Sequence, residues 1–317
     1  MLSFKGNTFI IEYEMVDEEV AITGLKGTAS EIIIPDSFDD GLGNVHRVTR
    51  INKKAFLGIK GLKYVELPNG IKEIGDWAFS KCIHLNAIRF SSKPSFGKAV
   101  FEGCERLEKI YVRTNEIGSA KEEESLAFLL SAVVNKLDAG YLLRDDDIGT
   151  AGWYGRWDLA LRNYLLAEDI DGYDDRALCG EEDISYDGIP SVDGEFLGDS
   201  GDYLNEVGKN KCFLCILRML HDSYLSDEDR ELLKKYIIAR SYEKDKPLAW
   251  KMLKEDAGEN MELFEKYMEI IDPSKEIIEK MIMDISADKA NVRAYLIKCS
   301  KNSEDTEEDF FAQMFLN

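Results

Sequence analysis

The first third of the chain repeats one short pattern at a nearly fixed interval. An apolar residue followed by phenylalanine occurs at Ala55-Phe56, Ala78-Phe79 and Val100-Phe101, at intervals of 23 and 22 residues. Leucine and cysteine positions recur in the same phase: Leu62, Leu85 and Leu107, and Cys82 and Cys104. A unit this short cannot bury its apolar side alone, so neighbouring units must stack and share one core. The repeat therefore predicts a solenoid in which every unit contributes a short strand.

The most regular unit runs from Leu62 to Cys82 and reads LKYVELP, then GIKEIGDWAF, then the cysteine. This resembles the bacterial surface-antigen class of leucine-rich repeats, whose units read L-x-x-V-x-L-P and then I-G-x-x-A-F-x-x-C. The resemblance covers residues 9–113, with an extra loop at residues 39–44 and Ile59 in place of the first cysteine. Partners of this family usually dock on the ordered strand face, so the resemblance implies a binding protein.

Alternation along the predicted strands separates buried residues from exposed ones, because successive side chains point to opposite faces. The inward positions are Ile32, Ile34, Val65, Leu67, Ile88, Phe90, Ile110 and Val112. The outward candidates for partner binding are Ile33, Tyr64, Glu66, Arg89, Lys109 and Tyr111. Tyrosine and arginine are favoured at binding hot spots, although scattered aromatic residues also occur on an ordinary solvated surface. The pattern leaves both interpretations of this face open.

Charge is distributed very unevenly along the chain. Residues 1–115 hold 16 Lys and Arg against 15 Asp and Glu, so the remaining residues carry a charge of −22 and the whole chain −21. A nucleic-acid partner is not expected, since phosphate binding needs a basic surface. The sequence has no apolar run long enough for a membrane span and no leader-like start, so we expect a cytoplasmic protein. The alternative is a cell-surface or secreted protein whose leader was removed.

Beyond Val112 the apolar period changes from 2 to 3.6, which indicates helices. One helical face consists of Leu126, Leu129, Leu130, Val133, Val134 and Leu137. The predicted fold class is α+β: a leucine-rich-repeat domain at residues 1–115, then an acidic all-α domain at residues 116–317 with a long loop near residues 180–201. The segment from Asp284 to Cys299 weakly resembles degenerate ankyrin-type repeats, so the helical domain is predicted to be repeat-like.

Residues that could carry chemistry are few. Cys212 and Cys215 form a single CxxC in an apolar run without a second pair of ligands, which favours buried thiols over a zinc site. The acidic stretch that begins at Asp169 lacks calcium-loop spacing, because Gly172 falls at position 4 instead of 6. We therefore expect no cofactor, no metal and no catalytic residues.

Taken together, these features predict a non-catalytic protein that binds a protein partner, of unknown identity, through its repeat surfaces. Two alternatives remain open. One is a secreted or cell-surface adhesin that lacks its leader. The other is a metal-dependent enzyme in the acidic helical region, which near-stoichiometric zinc or calcium would support.

Overall fold

The protein divides into two compact units, residues 1–161 and residues 162–317. The computed structural model describes residues 2–5, 9–39, 43–90, 94–113, 119–169, 200–242, 247–255, 257 and 260–301. The first unit contains the strands and the first two helices, and the second unit contains the remaining helices. The boundary predicted at residue 115 concerns where an independently folding domain ends, and it stays a prediction.

One side of the first unit is a mixed sheet. Its strands are β1 (Leu2–Lys5), β2 (Phe9–Val16), β3 (Glu19–Gly27), β5 (Ser37–Asp39), β6 (Val45–Ile51), β8 (Glu73–Ile74) and β10 (Ser95–Phe96). The first three strands are antiparallel, and β3, β6, β8 and β10 then follow one another in parallel. β5 pairs with β6 in antiparallel orientation and lies outside this strand order. The antiparallel strands thus continue the solenoid sheet beyond its first parallel strand.

The other side of the solenoid is a purely parallel sheet in the order β11-β9-β7-β4. Its strands are β4 (Glu31–Ile33), β7 (Tyr64–Glu66), β9 (Ala87–Phe90) and β11 (Lys109–Val112). All eight residues predicted to point inward are at most 3% exposed. This confirms the predicted register, because a slip of one residue would turn every one of these side chains to the solvent.

The turns that join the two sheets carry the Ala-Phe pairs. The rings of Phe56 and Phe79 stack at 5.0 Å between centroids, and those of Phe79 and Phe101 at 5.9 Å. The Cys82 thiol donates to the Phe56 carbonyl at 3.0 Å, and the Cys104 thiol to the Phe79 carbonyl at 3.1 Å. Each cysteine therefore bonds to the preceding coil, which explains why it recurs three residues after the phenylalanine.

Two α-helices and a 3-10 helix complete the first unit: α1 (Ala120–Asn135), the 3-10 helix (Gly140–Arg144) and α2 (Ala151–Leu166), which continues past the unit boundary. α1 packs against β11, the last strand of the parallel sheet. Trp153 and Trp157 of α2 are fully buried and donate to the carbonyls of Leu142 and Leu129 at 3.0 and 3.2 Å. These two tryptophans therefore belong to the core of the first unit.

The described part of the second unit is helical. It contains α3 (Ser200–Leu220), α4 (Asp227–Ser241), α5 (Leu248–Glu255), α6 (Met261–Ile271), α7 (Lys275–Asp284) and a helix at residues 290–301. α3 packs against α4, α5 and α6. Ser226 caps α4 by accepting from the Asp229 amide at 3.1 Å. The predicted long loop near residues 180–201 lies, as far as residue 199, outside the described residues. The ankyrin-type resemblance stays a prediction.

Candidate binding face

The outward side chains of the parallel sheet form two rows that cross its four strands. Strand register places Ile33, Glu66, Arg89 and Tyr111 side by side in one row. The second row is Glu31, Tyr64, Ala87 and Lys109. Because neighbouring parallel strands lie about 4.8 Å apart, each row spans roughly 14 Å. The structure thus brings all six predicted partner-binding residues onto one face.

The face is most open on β4 and β7. Ile33 on β4 is 67% exposed. Beside it, the Tyr64 hydroxyl donates to the Glu66 carboxylate at 3.1 Å. Tyr64 is half-buried, and this burial raises its pKa above the ordinary value, although a hydrogen bond with Arg89 opposes the shift. An apolar, an aromatic and an acidic group therefore lie together on these two strands.

Acidic residues of α1 contact the other end of the face. The Arg89 guanidinium lies 2.6 Å from the Glu123 carboxylate, and the Lys109 ammonium lies 2.5 Å from that of Glu124. The Tyr111 hydroxyl donates to Glu124 at 2.6 Å. Burial, followed by this bond to a carboxylate, raises the Tyr111 pKa. The three predicted residues on β9 and β11 are thus already held by the protein itself.

Ring contacts order the same end of the face further. The guanidinium of Arg89 lies 4.4 Å from the centre of the Tyr111 ring, and the Lys109 ammonium lies 4.8 Å from that of Phe128 on α1. Cation–π contacts at these distances are favourable by about 0.5–1 kcal/mol at exposed sites. The cationic side chains on β9 and β11 are consequently fixed in direction.

The sequence places α1 in this position through its cap and its buried side. Ser119 caps the helix by accepting from the Glu122 amide at 3.3 Å, and carboxylates are favoured in a first helical turn. Further along the helix, Ser131 and Asn135 both donate to the Leu107 carbonyl, at 2.5 and 3.0 Å. The helix thereby binds the last coil of the solenoid. The sequence pattern alone did not identify the acids of α1 as part of the site.

Comparison with known families agrees with this architecture. Residues 44–127 match the family model of the BspA type leucine-rich repeat region, in six copies. These residues form a BspA-type leucine-rich-repeat region. The matched residues include β7, β9 and β11 of the binding face and the first turns of α1, and β4 precedes them. The resemblance read from the Ala-Phe and cysteine positions is thereby confirmed.

Solved structures similar to part of the chain come from bacteria. A leucine-rich cell surface protein from Faecalibacterium prausnitzii is 21% identical over 36% of this chain and 30% of its own, with a TM-score of 0.30. A leucine-rich repeat protein from Bacteroides ovatus is 26% identical over 34% and 29%, with a TM-score of 0.31. One from Bacteroides capillosus is 22% identical over 38% and 91%, with a TM-score of 0.31. No curated protein matches the chain.

Outside the BspA-type repeats, the residues that could carry chemistry lie in the second unit. Cys212 and Cys215 are fully buried, and burial raises the Cys215 pKa well above the ordinary thiol value, so its reactive thiolate is disfavoured. Asp169 lies 2.7 Å from the Lys211 ammonium and 2.9 Å from the Arg240 guanidinium. The rest of the calcium-like segment, like Cys179, lies outside the described residues.

Two further findings concern metal ions and membranes. Within the part of the chain that the structure describes, no three His, Cys, Asp or Glu side chains are grouped closely enough to hold a metal ion. Each helix in the described ranges is too short or too polar to cross a bilayer.

Proposed function

We propose that this chain is a non-catalytic protein-interaction protein, and that a protein partner docks on the outward face of the parallel sheet. The observation that carries the proposal is the ordered pair of side-chain rows across β4, β7, β9 and β11. Solenoids generally bind through such extended surfaces, because each repeat adds one more set of outward side chains in register. The BspA-type match supports a role in binding or at the cell surface.

The docking site is centred on β4 and β7. Arg89, Lys109 and Tyr111 already contact α1, so a partner would have to displace Glu123 or Glu124 to engage them fully. Ile33, Tyr64 and Glu66 offer apolar area, an aromatic ring and a carboxylate without that competition. We propose that Arg89, Lys109 and Tyr111 have a supporting role. Ile33, Tyr64 and Glu66 form the centre of the contact.

A pair of matched variants tests the contribution of the apolar residue. Ile33→Ser is compared with Val45→Ser, because Val45 on β6 is 66% exposed and also β-branched. Both variants and the intact chain serve as baits in a native cell lysate, with bound proteins quantified by mass spectrometry. A partner retained by the intact chain and Val45→Ser, and reduced at least about tenfold by Ile33→Ser, supports the proposal. Equal retention by all three baits contradicts it.

A second pair of variants tests which of the two solenoid sheets carries the binding site. Glu66 on β7 and Glu73 on β8 occupy central strands of the two opposite sheets of the solenoid. Replacing either by alanine changes the net charge equally, so a general charge effect would be the same in both variants. Loss of the same partner with Glu66→Ala alone locates the site on the parallel sheet. Loss with Glu73→Ala alone would move it to the other side.

Compartment and metal content are separate questions with separate measurements. Fractionation of the native cells distinguishes the cytoplasmic protein that the sequence predicts from a surface adhesin. Metal analysis of the purified full chain tests the enzyme alternative, since near-stoichiometric zinc or calcium would revive a metal site in the acidic region. Neither result depends on the strand-face variants.

A further inference from the structure

A second surface of the BspA-type repeats lies on the turns that join the two sheets. Five side chains occupy it on three successive coils, and we name them the turn ridge: Lys53, Lys54, Trp77, Lys81 and Lys98. Backbone hydrogen bonds stack these turns directly, with the Lys54 amide donating to Asp76 at 2.9 Å and the Trp77 amide to Lys98 at 2.9 Å. The four lysines are exposed and Trp77 is half-buried. The ridge therefore presents a column of cations about 10 Å long.

The tryptophan orders two of these lysines. The Lys53 and Lys54 ammonium groups lie 4.8 and 5.7 Å from the centre of the Trp77 ring. Such contacts restrict long side chains that would otherwise lose conformational freedom on binding a ligand. Trp77 thus holds two positive charges at one place on the ridge before any partner arrives.

Charge balance on the ridge differs from that of the whole chain. Within the described residues, the four ridge lysines have no carboxylate within ion-pair distance, whereas Lys26 and Lys72 pair with Glu12 and Glu19. The acids on the same turns are the half-buried Asp76, which accepts from the Lys98 amide at 2.7 Å, and the exposed Glu102. With Glu14, whose carboxylate accepts from the Asn52 side-chain amide beside Lys53 at 2.7 Å, four cations stand against three carboxylates, which leaves a positive patch on a protein of net charge −21.

Backbone conformation at Lys81 shows that the fold does not require a lysine side chain at that position of the turn. Lys54, Trp77 and Lys81 have φ of 60°, 52° and 58°, a left-handed region that is costly for residues with a Cβ. Gly58 and Gly103 stand at the positions equivalent to Lys81 in the neighbouring coils, with φ of 68° and 67°. Glycine therefore fits this turn at lower strain. Non-glycine residues in such conformations are concentrated at functional sites.

We propose that the turn ridge docks an acidic, extended segment of a protein partner. Lysine ammonium groups are point charges that pair with single carboxylates from many directions, whereas the bidentate fork that arginine forms with a carboxylate or a phosphate is absent from the ridge. Carboxylates on one side of an extended peptide recur about every 6.8 Å, a spacing that flexible lysine stems on coils about 4.8 Å apart accommodate. This surface is distinct from the strand face and does not depend on it.

The test uses the intact chain and two fluorescent anionic probes, an oligoglutamate peptide and a heparin fragment of similar total charge. Fluorescence anisotropy gives the affinity for each probe at low and at high salt. We expect saturable oligoglutamate binding that exceeds heparin binding at equal charge and weakens as salt screens the exposed ion pairs. Binding of a strongly acidic protein to a polyanion requires a local basic surface, so this result would itself be informative.

Matched variants locate the binding on the ridge. Lys53→Ala/Lys54→Ala should weaken oligoglutamate binding by about tenfold, whereas Lys63→Ala/Lys121→Ala, which removes two exposed lysines elsewhere, should change it less than about twofold. Lys53→Arg/Lys54→Arg should retain most of the affinity. Glycine occupies the equivalent position of the neighbouring coils, so Lys81→Gly should keep the fold, and a loss of affinity in this variant is expected to reflect the missing ammonium group.

Three outcomes would overturn the proposal. Neither probe binds, or heparin binds more tightly than oligoglutamate, or the two double alanine variants weaken binding equally. The first outcome would exclude an anionic ligand. The second would identify a sulfated glycan instead of a protein segment as the ligand, and the third would show that the ridge is not the binding site. None of these results bears on the strand-face variants, so the two proposals fail separately.

Discussion

The BspA-type repeats and the helical second unit bury different kinds of residue. Among described residues 44–113, the buried polar side chains are the hydroxyl-bearing Thr49 and Ser80. The second unit buries Lys209, Lys211 and Arg218, with at most 4% of each residue exposed. A repeat core is built from identical layers, so it is stabilised by the same apolar contact many times. The helical core instead depends on individual polar contacts, and the two units should respond differently to mutation.

The largest effect is expected in the phenylalanine column of the repeats. Phe79→Ala removes the central ring, which stacks on Phe56 and Phe101, and should lower the free energy of unfolding of the repeats by about 4 kcal/mol. Hydrogen exchange of peptides from residues 44–113 reports this unit separately from the second. The control is Leu57→Ala on the same type of turn, because Leu57 is 40% exposed. Similar losses in both variants would show that stacking is not what stabilises the column.

The corresponding test of the helical unit removes a buried charge. Arg218 is fully buried and donates to the carbonyls of His221, at a short distance, and Ser223, at 2.9 Å. Arg218→Ala leaves these acceptors without their donor and opens a cavity, so we expect a loss of about 3 kcal/mol. Hydrogen exchange of peptides from residues 200–242 measures it. Arg230→Ala, which removes an exposed partner of Asp222, should cost under about 1 kcal/mol.

The difference between the units explains what the sequence could predict of the fold. Alternation around Ile32 and Val65 specified burial correctly because apolar residues in a layered core recur in phase. The helical period likewise placed Leu129 and Leu130 inside. A lysine such as Lys211 reads as exposed in any polar–apolar pattern. Its burial depends on Asp169, 42 residues away in the chain, and such tertiary pairing leaves no periodic signal.

For the candidate site, the sequence predicted the outward residues of the strand face but not their contacts with α1. Register placed Ile33 and Glu66 side by side on the strand face, as strand alternation requires. The contact of α1 with Arg89 and Lys109 was not foreseen, because the helix was assigned to a separate domain. A local signal did exist: Glu123 and Glu124 lie in an acidic run just before an amphipathic helix, shortly after strands with outward cations. Charge complementarity between those segments would have predicted the contact.

The two buried thiols of the repeats make the stability of these coils depend on pH. Burial raises the pKa of Cys82 to about 11 and that of Cys104 to about 12. Unfolded thiols ionise near pH 8.5–9, so their stabilising effect is complete below that pH and is lost as pH rises toward the folded values. We expect the repeats to lose roughly 2 kcal/mol per thiol by pH 10.5.

Hydrogen exchange of residues 44–113 between pH 8 and 10.5, corrected for its intrinsic pH dependence, measures this loss. Cys82→Ala/Cys104→Ala provides the control, because it removes both titrating groups and should flatten the pH profile of the repeats. An unchanged profile in the double variant would assign the alkaline sensitivity to other groups.

A smaller effect is expected where α1 meets the strand face. The side chains of Arg89 and Glu123 are 27% and 32% exposed, so solvent screens their ion pair substantially. A double-mutant cycle with Arg89→Ala and Glu123→Ala should give a coupling free energy below about 1 kcal/mol. Hydrogen exchange in β9 and α1 measures each corner of the cycle. Coupling well above that range would mean that α1 and the sheet form one rigid element, and would weaken any partner's access to Arg89.

The smallest predicted effect has the opposite sign. Lys81 adopts φ of 58°, where its neighbours in the adjacent coils are glycines, so Lys81→Gly relieves left-handed strain in the folded state. The greater freedom of glycine in the unfolded chain offsets part of this gain, which leaves a net stabilisation of about 0.5 kcal/mol. Lys98→Gly is the matched control, because Lys98 does not have positive φ and should lose stability by a similar amount.

Hydrogen exchange across residues 44–113 distinguishes the two cases. Slower exchange in Lys81→Gly, with faster exchange in Lys98→Gly, would show that Lys81 is held against the preference of its turn. The reverse order would mean that the lysine stem stabilises the turn by packing against Gly103, where a Cβ added to the glycine would lie 3.4 Å from the Lys81 Cγ. Lys81 would then be retained in the ridge for packing and not for binding a ligand.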